Sequence, residues 1–150
     1  MKTGRRGSGP YLVLENCSGA FYDLITVKTK NNYKREVTTI IKRNLAIWLA
    51  NPEFQNVRSS PLDLAIIAII NTQRMATQDV DNISKIVLDA LQQSENDTRF
   101  LFHNDKQVIR LLVWKIQQEE DSEQNTDTLG ISFRIHDPKK QMILEMPSRI

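Results

Sequence analysis

Apolar positions change their spacing several times along the chain, and each change marks a predicted element. Residues 11–15 alternate apolar and small side chains in a β-prone stretch, which predicts a first strand. Residues 21–28 (Phe-Tyr-Asp-Leu-Ile-Thr-Val-Lys) predict a second, with Asn16-Cys17-Ser18-Gly19 as the turn between them. From 33 to 50 the step becomes three and four. Val37, Ile40, Ile41, Leu45, Trp48 and Leu49 then form one stripe of an amphipathic helix, which Asn51-Pro52 ends. Residues 51–61 are polar and irregular. Residues 62–71 are almost continuously apolar and β-branched at the centre, as suits a strand buried on both faces. Helical period returns over 79–92, with Ile83, Ile86, Val87, Ala90 and Leu91 on one face. A loop over 94–104 carries Phe100, Leu101 and Phe102.

Residues 107–116 are again β-prone, 117–128 form an acidic, solvated hairpin connection, and 129–136 alternate cleanly. In that last strand Leu129, Ile131, Phe133 and Ile135 share one side, and Gly130, Ser132 and Arg134 the other. The resulting order, ββαβαββ, predicts an α+β domain: a two-layer mixed β-sheet with two helices packed on one face. Residues 1–10 are expected to form a flexible basic tail, 11–137 the folded domain, and 138–150 a C-terminal tail of uncertain structure.

Composition narrows the class. A hydrophobic fraction of 40% and a charged fraction of 25% describe a globular chain rather than a disordered one. The longest apolar run, 64–70, falls far short of the roughly 20 residues that span a bilayer. No apolar stretch follows the basic N-terminus, so it does not read as a signal peptide. The single cysteine, Cys17, makes no internal disulfide and no thiolate zinc site; a reducing, cytoplasmic location is expected.

Charge is segregated although the net value is only +2. The first 50 residues carry nine Lys or Arg against three Asp or Glu, densest at Lys28, Lys30, Lys34, Arg35, Lys42 and Arg43; the remainder is net acidic. Cations that hold phosphates beside carboxylates that hold a metal suit an enzyme acting on a polyanion. On charge alone, an ordinary solvated helix face with surface charge is the favoured explanation.

The informative stretch is Asp79-Val80-Asp81-Asn82-Ile83-Ser84-Lys85-Ile86-Val87-Leu88-Asp89-Ala90-Leu91, where a strand connection turns into a helix. In extended backbone, residues two apart face the same side, so Asp79 and Asp81 are expected to approach one hard cation such as Mg²⁺ or Mn²⁺. Lys85 falls one helical turn after Asp81, where an ammonium would meet charge developing on phosphorus. The structural alternative is that Asp81 is a helix N-cap and forms an i,i+4 ion pair with Lys85.

This pattern, Asp-x-Asp-Asn-x-x-Lys-x-x-x-Asp-Ala-Leu, resembles the signature of the RusA family of Holliday junction resolvases. A second block, Asn104-Asp105-Lys106-Gln107-Val108, resembles the acidic residue before a Gln-hydrophobic pair that opens the family's next strand. The resemblance covers residues 62–116 and implies an endonuclease domain over 11–137. It implies that Asp79, Asp81 and Asp105 bind the metal and are catalytic, that Lys85 is the catalytic lysine, and that Asn82 assists at the DNA. Asp89 matches a family position read as structural. It further implies a Mg-dependent endodeoxyribonuclease, with Mn as a substitute. This enzyme would be a homodimer that cuts four-way junctions in DNA recombination and repair. The chain departs from the family at Asn104, where a second acidic residue is common, in its longer 94–103 loop, and in lacking the family's Pro- and Asn-containing opening.

Around this site, Arg74 and Lys106 are candidate phosphate contacts, and Lys28, Lys30, Lys34 and Arg35 are candidate backbone contacts on the DNA. His103 and His136 are read as bystanders, the latter at the surface. Phe100 and Phe102 are read as pinning their loop to the core rather than wedging a junction, and Trp48 and Trp114 as core. A glycosyltransferase-like use of Asp-x-Asp is disfavoured by the lack of a Gly-rich phosphate loop. A non-catalytic DNA-binding relative would have lost a carboxylate or Lys85, and all four are present.

Overall fold

The computed structural model describes residues 11–14, 18–24, 30–50, 52, 54–70, 75, 79–117, 127–140 and 142–145. Its centre is strand β3 (Leu62–Ile70), which is buried along its whole length, as its unbroken apolar sequence demands. Before it come β1 (Tyr11–Leu14), β2 (Ser18–Leu24), α1 (Lys30–Trp48) and α2 (Phe54–Arg58). After it come α3 (Val80–Leu91), a 3-10 turn at Asp105–Gln107, β4 (Val108–Gln117), β5 (Asp127–Ile135) and β6 (Met142–Glu145). The fold is α+β. A four-stranded mixed sheet runs in the order β2-β5-β3-β4, with β3 and β4 parallel and the other pairs antiparallel; β1 and β6 form a separate antiparallel pair.

The two long helices sit where their apolar stripes require. Tyr33, Val37, Ile40, Ile41 and Leu45 of α1 and Ile83, Ile86, Val87, Ala90 and Leu91 of α3 join one buried cluster. The even-numbered residues of β3 and Leu129, Ile131 and Phe133 of β5 complete it. The opposite face of the central strands is covered as well: Ala65, Ile67, Ile69, Thr128, Ser132 and Arg134 are all buried, and β1 contacts β5. Among the described residues no helix is long and apolar enough to cross a membrane.

Several expectations change. The first two strands are not a hairpin: β1 pairs with β6 and β2 with β5, and Ser18 and Gly19, assigned to the turn, belong to β2. The supposed C-terminal tail therefore contributes a strand. The segment after β4 is not a hairpin connection either, because β3 lies between β4 and β5. The polar 51–61 stretch contains α2. Trp48 packs partly buried with its ring 5.2 Å from Phe133, but Trp114 is 46% exposed because β4 is an edge strand.

One polar residue in the β3 run breaks the apolar pattern for a reason. Asp63 is fully buried and accepts hydrogen bonds from Arg110 of β4 and Arg134 of β5. The Nδ1 of His136, expected at the surface, lies 2.8 Å from its other partner atom, Asp63 Oδ1. Arg110 also donates to the carbonyls of Asp137 and Lys140. One carboxylate thus ties three strands and the turn beyond β5. Burial alone would raise its pKa, but the hydrogen bonds from Arg110, His136 and Arg134 outweigh that and hold it well below the usual carboxylate range.

Asp63→Ala leaves two guanidinium groups facing an empty acceptor and is expected to cost about 3–5 kcal/mol, read by urea unfolding. Because the folded carboxyl titrates below its unfolded value, its contribution is complete above about pH 3.9 and is lost as pH falls toward the lower folded value. The stability difference between wild type and variant, read by urea unfolding, should therefore be constant above about pH 3.9 and shrink as pH falls below it.

Candidate active site

Helix α3 begins at Asp79, whose backbone is extended (φ −76, ψ 152) and whose side chain makes no capping hydrogen bond. Val80 and Asp81 are already helical, so the two carboxylates are not related by strand alternation as expected, and Asp81 is not the cap. They are neighbours instead at the first turn, where unpaired N–H groups and the helix dipole favour negative charge. Both are exposed. Ser84 Oγ donates to the backbone carbonyl of Asp81 at 2.9 Å. Lys85 is exposed one turn on, and among the described residues no ion pair joins it to Asp81. Asn82 is half-buried on the same turn.

Asp105 opens the 3-10 turn before β4, and the residues around it are tightly held. Asn104 is the N-cap, accepting from Lys106 N–H at 2.9 Å. Gln107 Oε1 accepts from the N–H groups of His103 and Asn104, while its Nε2 donates to the carbonyls of Arg58 and Ser60. This gives a physical role to the position where the family often carries a second acid. The Asp105 N–H donates to Gln92 Oε1 at 3.2 Å, which anchors the turn to the C-terminal end of α3. The Asp105 side chain and Lys106 are exposed.

Asp105 is therefore at one end of α3, and Asp79 and Asp81 are at the other. Twelve helical residues separate them, a span of about 18 Å. The three carboxylates expected to form one metal set do not meet within a chain, and no group of three His, Cys, Asp or Glu side chains gathers among the described residues. The reason is topological. β3 and β4 are parallel, so α3 must run the length of the sheet to connect them. Asp79 and Asp81 alone do suit a hard divalent cation, because Mg²⁺ takes one or two carboxylates and keeps its other places for water and phosphate oxygens.

The basic candidates are only partly placed. Lys28 and Arg74 lie outside the described residues, and Lys30 is placed as the first residue of α1. Lys34 and Arg35 are exposed on the first turns of α1. Lys34 lines a cleft of about 520 Å³ between α1, the C-terminal half of α3 and the 94–99 segment. Lys42, Arg99, Asp89 and Asp97 line it too. Lys42 is nearly buried and donates to the Arg99 carbonyl at 2.7 Å; burial lowers its pKa, against the attraction of Asp97. Hydrogen bonds from the Arg99 side chain and backbone pull the Asp97 carboxyl down to about 2. Asp89 is an exposed carboxylate on this cleft. Arg99 carried no sequence signal: its side chain pairs with Asp97 two residues before, and the residues that close the cleft around them come from distant segments.

The aromatic and histidine residues of the loop are structural. Phe100 and Phe102 are buried, as expected. The Arg58 guanidinium lies 3.8 Å from the Phe100 ring centroid, and His103 packs against the same ring with Nδ1 2.8 Å from Gln93 Oε1.

A family model for the endodeoxyribonuclease RusA matches residues 16–123, well over half of the chain. The chain belongs to the RusA family. The matched span includes β3, all of α3 and the Asp105 turn, the elements that carry both blocks of the motif. A comparison with curated proteins returned no match. Membership in the RusA family supports an endodeoxyribonuclease with DNA as its substrate.

Gln107→Leu removes the four hydrogen bonds that brace the Asp105 turn of this RusA chain. It is expected to lower stability by about 1–3 kcal/mol and to speed amide exchange at His103 and Asn104. Unchanged exchange there would mean the turn is held by other contacts.

Proposed function

We propose that this RusA-family chain is a Mg²⁺-dependent endodeoxyribonuclease that cuts branched DNA, four-way junctions in particular, during recombination and repair in the cytoplasm. The observation that carries this is the exposed Asp79–Asp81 pair on the first turn of α3, without side-chain partners among the described residues, inside the span that matches the family. When bound there, the metal would act as a Lewis acid toward a phosphodiester, with Mn²⁺ as a substitute. Asp79 and Asp81 would hold it, and Lys85, one turn on, would face the scissile phosphate and offset its developing charge. Lys34, Arg35, Lys106 and Arg74 would contact DNA phosphates.

Asp105 joins the catalytic set only from a second copy of the chain. A homodimer related by a two-fold axis would oppose the two ends of α3, so that Asp105 of the partner subunit completes the Asp79–Asp81 site. Two such sites would also match the two-fold symmetry of a four-way junction. A non-catalytic relative would need none of these carboxylates free, and three are exposed.

Asp81→Asn is expected to abolish nicking of a labelled synthetic four-way junction in Mg²⁺ while leaving folding and junction binding intact, because binding rests on remote cations. Cutting at the wild-type rate would refute the site. Asp105→Asn should be equally inactive. Mixing the two inactive proteins should restore cleavage at about a quarter of the wild-type sites, since each mixed dimer has one intact composite site. No rescue, with mixed dimers shown to form, would place Asp105 outside the metal set.

A further inference from the structure

The cleft of about 520 Å³ between α1, the C-terminal half of α3 and the 94–99 segment is of the size that holds a small organic ligand. Buried Ile86 and Ala90 give it an apolar floor. Its rim carries charges of both signs that have not met. Lys34 on α1 and Asp89 on α3 both line it and are exposed. Among the described residues neither side chain makes an ion pair or a hydrogen bond. The third wall is already fixed. Lys42 Nζ donates to the Arg99 carbonyl at 2.7 Å, and Arg58 of α2 donates to the carbonyls before and after it, those of Thr98 and Phe100. Asp97 accepts from the Arg99 backbone N–H and from its Nε and Nη2, so the guanidinium is held by one edge. Among the described residues nothing accepts from its Nη1. A wall built before the ligand arrives lowers the entropy lost on binding.

We propose that this cleft binds a single nucleotide unit, its phosphate held by Lys34 and Arg99 and the exocyclic amine of its base by Asp89. The charges call for a ligand with an anion at one end and a donor at the other. Lys34 and Arg99 can only donate, and phosphate oxygens accept charge-assisted hydrogen bonds from both. The ionised Asp89 can only accept, so it needs an N–H group. The flat face of a base suits the apolar floor between them. Guanine meets the carboxylate best, because it presents a ring N–H and an amine side by side. Thymine meets it worst, because its one N–H lies between two carbonyl oxygens that repel a carboxylate. Asp89 is eight residues beyond Asp81 on α3, about 12 Å along the helix, so the cleft is separate from the Asp79–Asp81 pair. The ligand is either a free nucleoside monophosphate or an unpaired nucleotide within a DNA strand. The site itself rests on the cleft; only the DNA source rests on the nuclease reading above.

The test is an NMR titration of the full chain, without metal, following the amides of Thr39, Asp89, Ser94 and Arg99. Deoxyguanosine monophosphate should shift them saturably, and thymidine monophosphate should bind about tenfold more weakly, the loss of one hydrogen bond to a charged group. Inorganic phosphate should bind more weakly than deoxyguanosine monophosphate. Asp89→Ala should bring deoxyguanosine monophosphate down to the thymidine level and leave thymidine monophosphate unchanged. Lys34→Gln should weaken both nucleotides alike. Arg43→Gln, which removes an exposed cation of α1 outside the cleft, should change neither. All three substitutions are at exposed positions, and the wild-type titrations stand without them. No saturable shift, phosphate binding as tightly as the nucleotide, or an Asp89→Ala chain that still prefers guanine would each overturn the proposal. A DNA pentanucleotide with one central guanine among thymines separates the sources. Tighter binding than the mononucleotide at the same amides supports a site for a strand, and weaker binding supports a site for the free nucleotide. A chain that binds as stated but cuts no DNA would leave the cleft in place and count against the nuclease assignment alone. A chain that cuts junctions without these shifts would do the reverse.

Discussion

Parallel pairing of β3 with β4 sets the position of everything that bears on function. A parallel connection has to return the chain to the end of the sheet from which it started, and here α3 makes that return. Its length fixes the distance between the carboxylates at its start and the turn at its finish. Among the described residues the same pairing leaves one side of β4 without a neighbouring strand. The separation of Asp105 from Asp79 and Asp81 and the exposed edge are therefore two results of one topological choice.

Polar joints hold this arrangement in register. Asp63 would be an anomaly in a buried strand were it not for Arg110, Arg134 and His136 around it. Its cost of desolvation is offset only because each neighbouring strand brings a donor. At the same end of the sheet, Gln107 links the Asp105 turn to the segment between α2 and β3. The carboxylate of Asp105 is left exposed while its backbone is pinned. At the far end Asp79 and Asp81 use the other device available to a helix, the unpaired amides of a first turn.

Charge follows the same division. Cationic Lys34, Lys42 and Arg99 collect on the cleft beside the C-terminal half of α3, interleaved with Asp89 and Asp97. Lys42 and Arg99 are already engaged there, by the Arg99 carbonyl and by Asp97. Lys34 and Arg35 are exposed at the start of α1, and phosphate contacts of the kind proposed for them would orient a DNA partner without reading its sequence.

Much of this was legible in the chain itself. The apolar stripes of α1 and α3 predicted their buried faces residue by residue, because helical period is a local property. The unbroken run of β3 announced a strand buried on both sides, and the two motif blocks named the family that the match over residues 16–123 shows. Pairing partners were not legible. Proximity in sequence points to neighbours in the sheet, whereas β1 pairs with β6, β2 pairs with β5, and β3 separates β4 from β5. Periodicity points to Trp114 as core, yet it is exposed, because alternation gives the face of a strand but not whether anything covers it. The resemblance of the two motif blocks to the family implied that Asp79, Asp81 and Asp105 act together. Only the tertiary structure decided that one chain cannot bring them together, since a rigid helix of fixed rise stands between them.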